Sequence, residues 1–222
     1  MRRQHLGCVG KLDNGIVTVH VGVARGRFQA LLDADLYLPK SWDEDRPRCE
    51  AAGIPDGVRY QAKWRIALDQ LLRLRRNGLR FDWLTFDEGY GSKVPFLTIL
   101  SLAGQKFAAE VPVSLAVRLS EEEGPRRADA VLTAGDARRG RRFRFRRETQ
   151  ADPWWRAKGV TVWVDGRAYR PIVAIDRATG QVKYFATNAV GEPPRRVLAV
   201  AFRRATVGHS FRPGKQEAGL MH

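Results

Sequence analysis

Between Tyr60 and Asn77 the chain reads YQAKWRIALDQLLRLRRN, and this stretch constrains the fold more than any other. Trp64, Ala67, Leu68, Leu71, Leu72 and Leu74 recur at roughly helical spacing, so the segment is an amphipathic helix. Gly78 is a natural C-cap, and Arg75 and Arg76 in the last turn suit the negative end of the helix dipole. Strand-type segments flank it on both sides.

Upstream, Ile16 to Ala24 (IVTVHVGVA) has β-branched residues at alternate positions and reads as a strand after the turn signal Asp13-Asn14-Gly15. Phe28 to Leu38 reads as a second strand ended by Pro39, and the two predict an antiparallel hairpin closed near Gly26. Asp43 to Asp56 is a polar loop with room for a short helix. Downstream, Phe81 to Phe86 reads as a short strand, with Asp87-Glu88-Gly89-Tyr90-Gly91 at its C-terminal end. Val94 to Ala103 reads as a helix and Lys106 to Val113 as a strand, giving the order β-β-α-β-α-β.

From residue 120 the character changes. Glu121 to Glu123 is acidic, and Arg138 to Arg147 then carries seven Arg in ten positions. Within it Arg142, Arg144 and Arg146 alternate with Phe143 and Phe145, which at strand period gives one cationic and one aromatic face. Trp154-Trp155 could stack on bases, with packing in the core of this block the better reading. Val160 to Val164, Tyr169 to Ile175 and Val182 to Thr187 read as strands, and Pro193-Pro194 opens a final helix from Arg195. The expected division is a partial core over residues 1–118, a β-rich insertion over 119–190 and a C-terminal helix over 191–222.

Lys and Arg outnumber Asp and Glu by 39 to 24, a net charge of +15. Most of the cations are Arg, whose guanidinium takes phosphate bidentately, so the balance points to nucleic acid. Cys8 and Cys49 stand at no zinc-ligand spacing and make no disulfide framework, which suits a reduced cytoplasmic compartment. The longest apolar stretch, Val94 to Gly104, is far short of the roughly 20 residues of a membrane span. Met1-Arg2-Arg3 is followed by no apolar run of the kind a signal peptide carries.

Several segments, in this order, resemble the DDE-type transposases of bacterial insertion sequences, in the IS-four-like group. They are Gly7 to Ala24 with Leu32 to Trp42, then Thr85 to Gly91 (TFDEGYG), then Gly180 to Ala189. The last is the tract RRATVGHSFRPGKQEAGL, Arg203 to Leu220. The resemblance implies an α/β fold of the ribonuclease-H-like kind, a mixed sheet flanked by helices, with a β-rich insertion before the last helix. It also implies Mg²⁺-dependent DNA cleavage and strand transfer, with three carboxylates holding two divalent cations.

Asp87 matches the family's second carboxylate and so its metal ligand; Glu88 beside it ranks below. Arg204 and Lys215 match the Arg and Lys of the last signature, but the position of its Glu is Gly208. Positions four and seven apart on a helix lie about 40° and 20° apart around the axis, so Arg204 and Lys215 flank Gly208 on one face. Glu217, nine positions on, faces about 180° away and does not replace the Glu. Pro213 is expected to kink the helix, and His209 is a candidate metal or phosphate neighbour that reads better as a surface residue. The family's first carboxylate lies on a strand upstream of the matching segment. Residues 1–12 contain no Asp or Glu, so an N-terminal truncation is expected. Asp33 and Asp35 read as a solvated strand end.

The expectation is a transposase catalytic-domain fragment without catalysis, in which Mg²⁺ is not bound productively. The alternative is a non-catalytic DNA-binding protein that regulates or inhibits an intact transposase. Arg204, Arg212 and Lys215 are expected to hold the phosphates of transposon-end DNA, with Arg142, Arg144 and Arg146 doing so from the insertion. A homodimer or an association with intact transposase is the expected assembly.

Overall fold

A computed structural model describes residues 2–6, 11–15, 17–26, 28–145 and 154–204, in two units, Met1–Arg80 and Phe81–His222. The first unit begins with a short antiparallel pair, β1 (Arg2–Leu6) and β2 (Lys11–Gly15). Asp13-Asn14-Gly15, read from sequence as a turn, lies within β2, where pairing with β1 holds it extended. β3 (Val17–Arg25) and β4 (Phe28–Tyr37) form the expected hairpin, in register from Val17↔Tyr37 to Arg25↔Phe28. Gly26 turns it with φ 60°, a left-handed conformation that only glycine adopts cheaply.

Two short helices follow, α1 (Lys40–Asp43) and α2 (Arg46–Ala51), and Leu38, Trp42 and Cys49 form a small core with Ile54 and Val58. The long amphipathic helix is α3 (Lys63–Arg76), which packs on β3 and β4. It buries Ile66, Gln70, Leu71 and Leu74. The Gln70 amide donates to the Val19 carbonyl at 2.8 Å. Arg73 of the same helix pairs with both Asp33, at 2.9 Å, and Asp35. These two carboxylates are thus cross-ties between strand and helix, where the sequence suggested only a solvated strand end.

The second unit runs β5 (Leu84–Phe86), α4 (Glu88–Gly91), α5 (Val94–Leu102), β6 (Phe107–Glu110), β7 (Ala116–Val117) and β8 (Arg126–Arg127). It continues with α6 (Ala128–Val131), α7 (Ala134–Arg139), β9 (Arg141–Arg144), β10 (Trp154–Gly159), β11 (Val162–Val164), β12 (Arg167–Asp176) and β13 (Val182–Thr187). The last helix, α8, occupies residues 194–204 of those described, after Pro193. One sheet runs in the order β5-β6-β13-β12-β10-β9, with β11 paired to β12.

β5 and β6 are parallel and joined through α4 and α5; every other pairing in this sheet is antiparallel. This is the mixed α/β sheet flanked by helices that the resemblance implies. The strands of residues 119–190 reach it directly, since β13 pairs with β6 through Phe185↔Glu110 and Ala186↔Ala109.

One core cluster of this unit lies between the sheet and α8. Phe143, Trp155, Ala157, Ile172, Ala174 and Phe185 from the strands meet Val197, Leu198 and Ala201 from the helix. Phe202 sits at their centre, its ring 4.7 Å from Trp155, 5.0 Å from Phe145 and 5.5 Å from Phe185 between centroids. Such edge and tilted contacts are the favoured arrangements of aromatic rings. Among the described residues no helix is long and apolar enough to cross a membrane.

Candidate functional site

α8 crosses the C-terminal end of β5, and that crossing brings together two residues singled out in the sequence. Thr85 and Asp87 are two apart, so at strand period they share a side. Ala201 and Arg204 are three apart and share a side of the helix. The Thr85 hydroxyl lies 3.5 Å from the Ala201 carbonyl, and one turn further the Arg204 guanidinium donates to the Asp87 carboxylate at 2.8 Å. Both members of this ion pair are partly exposed, at 45% and 41% of the side chain. Pairs in that range contribute little to stability, so the contact fixes position more than it adds free energy.

Asp87 also begins α4. Its backbone is extended, and its carbonyl accepts from the amides of Tyr90, at 3.1 Å, and Gly91, at 2.8 Å. A side chain at Gly91 would put its Cβ 2.0 Å from the Glu110 carbonyl oxygen, so only glycine lets α4 lie this close to β6. Tyr90 packs its ring 5.9 Å from Phe96, and burial, with the Asp87 charge adding to it, pushes its phenol up to about 12. Glu88 is exposed in the first turn of α4. Glu110, on the neighbouring strand, is engaged by Lys183 at 2.8 Å.

Among the described residues, the donor set does not fit the two divalent cations that the resemblance implies. Asp87 is a single carboxylate with a guanidinium already on it, and among the described residues no three His, Cys, Asp or Glu side chains come together. Gly208, Arg212 and Lys215 lie outside the described residues, as do His209, Pro213, Glu217 and Arg146. Of the last signature the structure therefore describes Arg204 alone.

The second feature is the outer face of β9 and β10. The arginine run divides: Arg138 and Arg139 close α7, and Arg141 to Arg144 form β9. In β9 Phe143 is buried and the arginines are exposed, as the alternation predicts. β9 pairs with β10 through Arg144↔Trp154, Phe143↔Trp155 and Arg142↔Arg156.

Trp154 and Trp155, read together as core, separate by the same period of two. Trp155 is 2% exposed among the aromatic core, and Trp154 is 42% exposed on the cationic side. The guanidinium carbons of Arg142 and Arg144 lie 5.0 Å and 5.7 Å from the centroid of its indole, within the range of cation–π attraction. Arg156 on the same face donates to the Arg138 carbonyl, and Lys158 pairs with Asp136 at 2.9 Å. The sequence signal for Trp154 was partial: only once Trp155 is paired with Phe143 must it follow that residue inward, leaving its neighbour to point out.

A family model described as DDE superfamily endonuclease matches residues 1–172 of this chain. No curated protein matches it.

Proposed function

The chain belongs to the DDE superfamily endonucleases, and on that premise we propose that it is an insertion-sequence transposase relative, of the IS-four-like group, that does not cut DNA. The family reaction is transposase-type cleavage of DNA, and its members generally use divalent metal ions. The observation that carries the proposal is the partner of Asp87. The carboxylate that matches the family's second metal ligand is engaged by Arg204 at 2.8 Å. The position of the third carboxylate is Gly208, which has no side chain to offer a metal. Removing a ligand from a set that works as a unit suppresses catalysis by orders of magnitude. Purified protein is therefore expected to leave supercoiled plasmid intact in Mg²⁺ or Mn²⁺. Nicking that disappears in an Asp87→Ala variant would overturn the proposal.

A second reading accompanies the first: the chain binds DNA without catalysis, as a regulator or inhibitor of an intact transposase. Arg142, Arg144 and Trp154, exposed on one face, favour it, together with the charge of +15. Arg204, Arg212, Lys215 and Arg146 belong to the same phosphate-binding proposal. A chain that fails to bind duplex DNA even at low salt has no such role.

A further inference from the structure

We infer that Trp154 is a positioning residue for phosphate binding: its indole holds Arg142 and Arg144 so that the two guanidiniums meet neighbouring phosphates of a DNA strand. The inference rests on the DNA-binding reading above and gives that reading a specific surface and a division of labour within it.

The argument begins with the ladder. Arg144 is the direct cross-strand partner of Trp154, and Arg142 is its diagonal neighbour. Long side chains at both kinds of position reach one another across a sheet. The ladder beneath them is fixed from the other side, because Phe143 and Trp155 are buried in the aromatic core. The Trp154 carbonyl is also tied, accepting from the Arg177 amide at 2.9 Å. The indole thus stands on backbone that is anchored from the opposite face.

Both guanidiniums come within about 6 Å of one ring, the distance at which the attraction operates. A guanidinium over an indole engages through its flat face, whereas its N–H fork lies in the plane and is the part that recognises phosphate. Stacking and phosphate binding are therefore compatible in one side chain. The stack also removes rotamer freedom from two long side chains before DNA arrives, which lowers the entropic cost of binding. Arg142 and Arg144 are two residues apart on β9, a rise of about 6.8 Å, so each takes a separate phosphate. With arginines over the ring, the indole serves as a support for cations and not as a platform for a base.

Fluorescence anisotropy with a labelled duplex of arbitrary sequence, titrated across salt concentrations, separates these roles. Arg142→Gln and Arg144→Gln are each expected to lower the salt slope by about 0.9, the signature of one lost phosphate contact. Trp154→Ala is expected to weaken binding roughly fivefold with the slope unchanged, because the indole touches no phosphate. Trp154→Phe should restore most of the affinity, since a phenyl ring still attracts a guanidinium. The losses from Trp154→Ala and Arg142→Gln should be less than additive, because they disable the same contact.

The inference fails if Trp154→Ala leaves duplex affinity unchanged. It also fails if the loss appears only with a single-stranded probe and adds fully to that of Arg142→Gln, which is how a base-stacking tryptophan behaves. If duplex binding persists and neither arginine variant changes the slope, this face is not the DNA site, and the inference falls while the DNA-binding reading stands. If the unaltered chain binds no duplex, both fall. Trp154→Phe covers the case in which the alanine variant folds poorly.

Discussion

Tyr90 lies three residues beyond Asp87 and reports on that carboxylate's surroundings. Its phenol is pushed up to about 12, first by burial and then by the Asp87 charge. A raised value means that the folded state favours the neutral phenol. The associated stability is therefore complete below the ordinary value of 10 and is lost as pH rises through about 12. Because the ring is only partly buried, about 1 kcal/mol is a fair scale for the effect. Tyr169 and Tyr184 are pushed up as well, mainly by burial, so the whole protein weakens over this alkaline range. Tyr90→Phe cannot ionise, and urea denaturation as a function of pH should give a flatter decline for that variant. Identical declines in the two proteins would mean that Tyr90 ionises as freely folded as unfolded.

At the scale of elements, the contact that sets the shape of the Asp87 region is α4 against β6. A Cβ on residue 91 would meet the Glu110 carbonyl oxygen at 2.0 Å, and backbone cannot move aside as a side-chain tip can. Gly91→Ala is expected to cost about 1–3 kcal/mol in chemical denaturation, the range for overpacking. Gly89→Ala serves as its control, since the nearest atom there is the Asp87 carboxylate oxygen at 3.1 Å, which can swing away. Equal losses in the two variants would contradict the packing argument.

The individual elements were largely legible in the sequence. The hairpin, α3, α5, β6 and β11 to β13 follow local periodicity, to within a few residues at their ends. What periodicity cannot carry is pairing between distant segments. Nothing near Ala109 announces that it will face Ala186, and nothing near Asp33 and Asp35 announces Arg73. Trp154 is an intermediate case. Its outward direction follows from Phe143 and Trp155, but only once β9 and β10 are known to be partners. The Asp87–Arg204 contact was accessible only as two positions matching one family's motifs, without a distance between them.

For the whole molecule, charge is the property that any DNA-binding role must express. Each phosphate neutralised contributes about −0.9 to the slope of log affinity against log salt. With Arg142 and Arg144 engaged, a slope of about −2 or steeper is expected for a duplex of arbitrary sequence. The same titration with scrambled sequences should give similar slopes, because phosphate contacts carry no base information. A slope near zero would detach the charge of +15 from nucleic acid altogether.

The position of β9 has a consequence of its own. It is the last strand of its sheet among the described residues, with Arg141, Arg142 and Arg144 exposed. An end strand offers open backbone groups on which another molecule's strand can grow. Arginines at alternate positions oppose that growth, since a second copy laid alongside would bring like charges together in a desolvating seam. On the DNA-binding reading, the residues proposed to grip a polyanion would also oppose growth of the sheet at this edge. Neutral replacements that weaken the grip would at the same time unblock the edge, so loss of solubility and loss of binding should appear in the same variants.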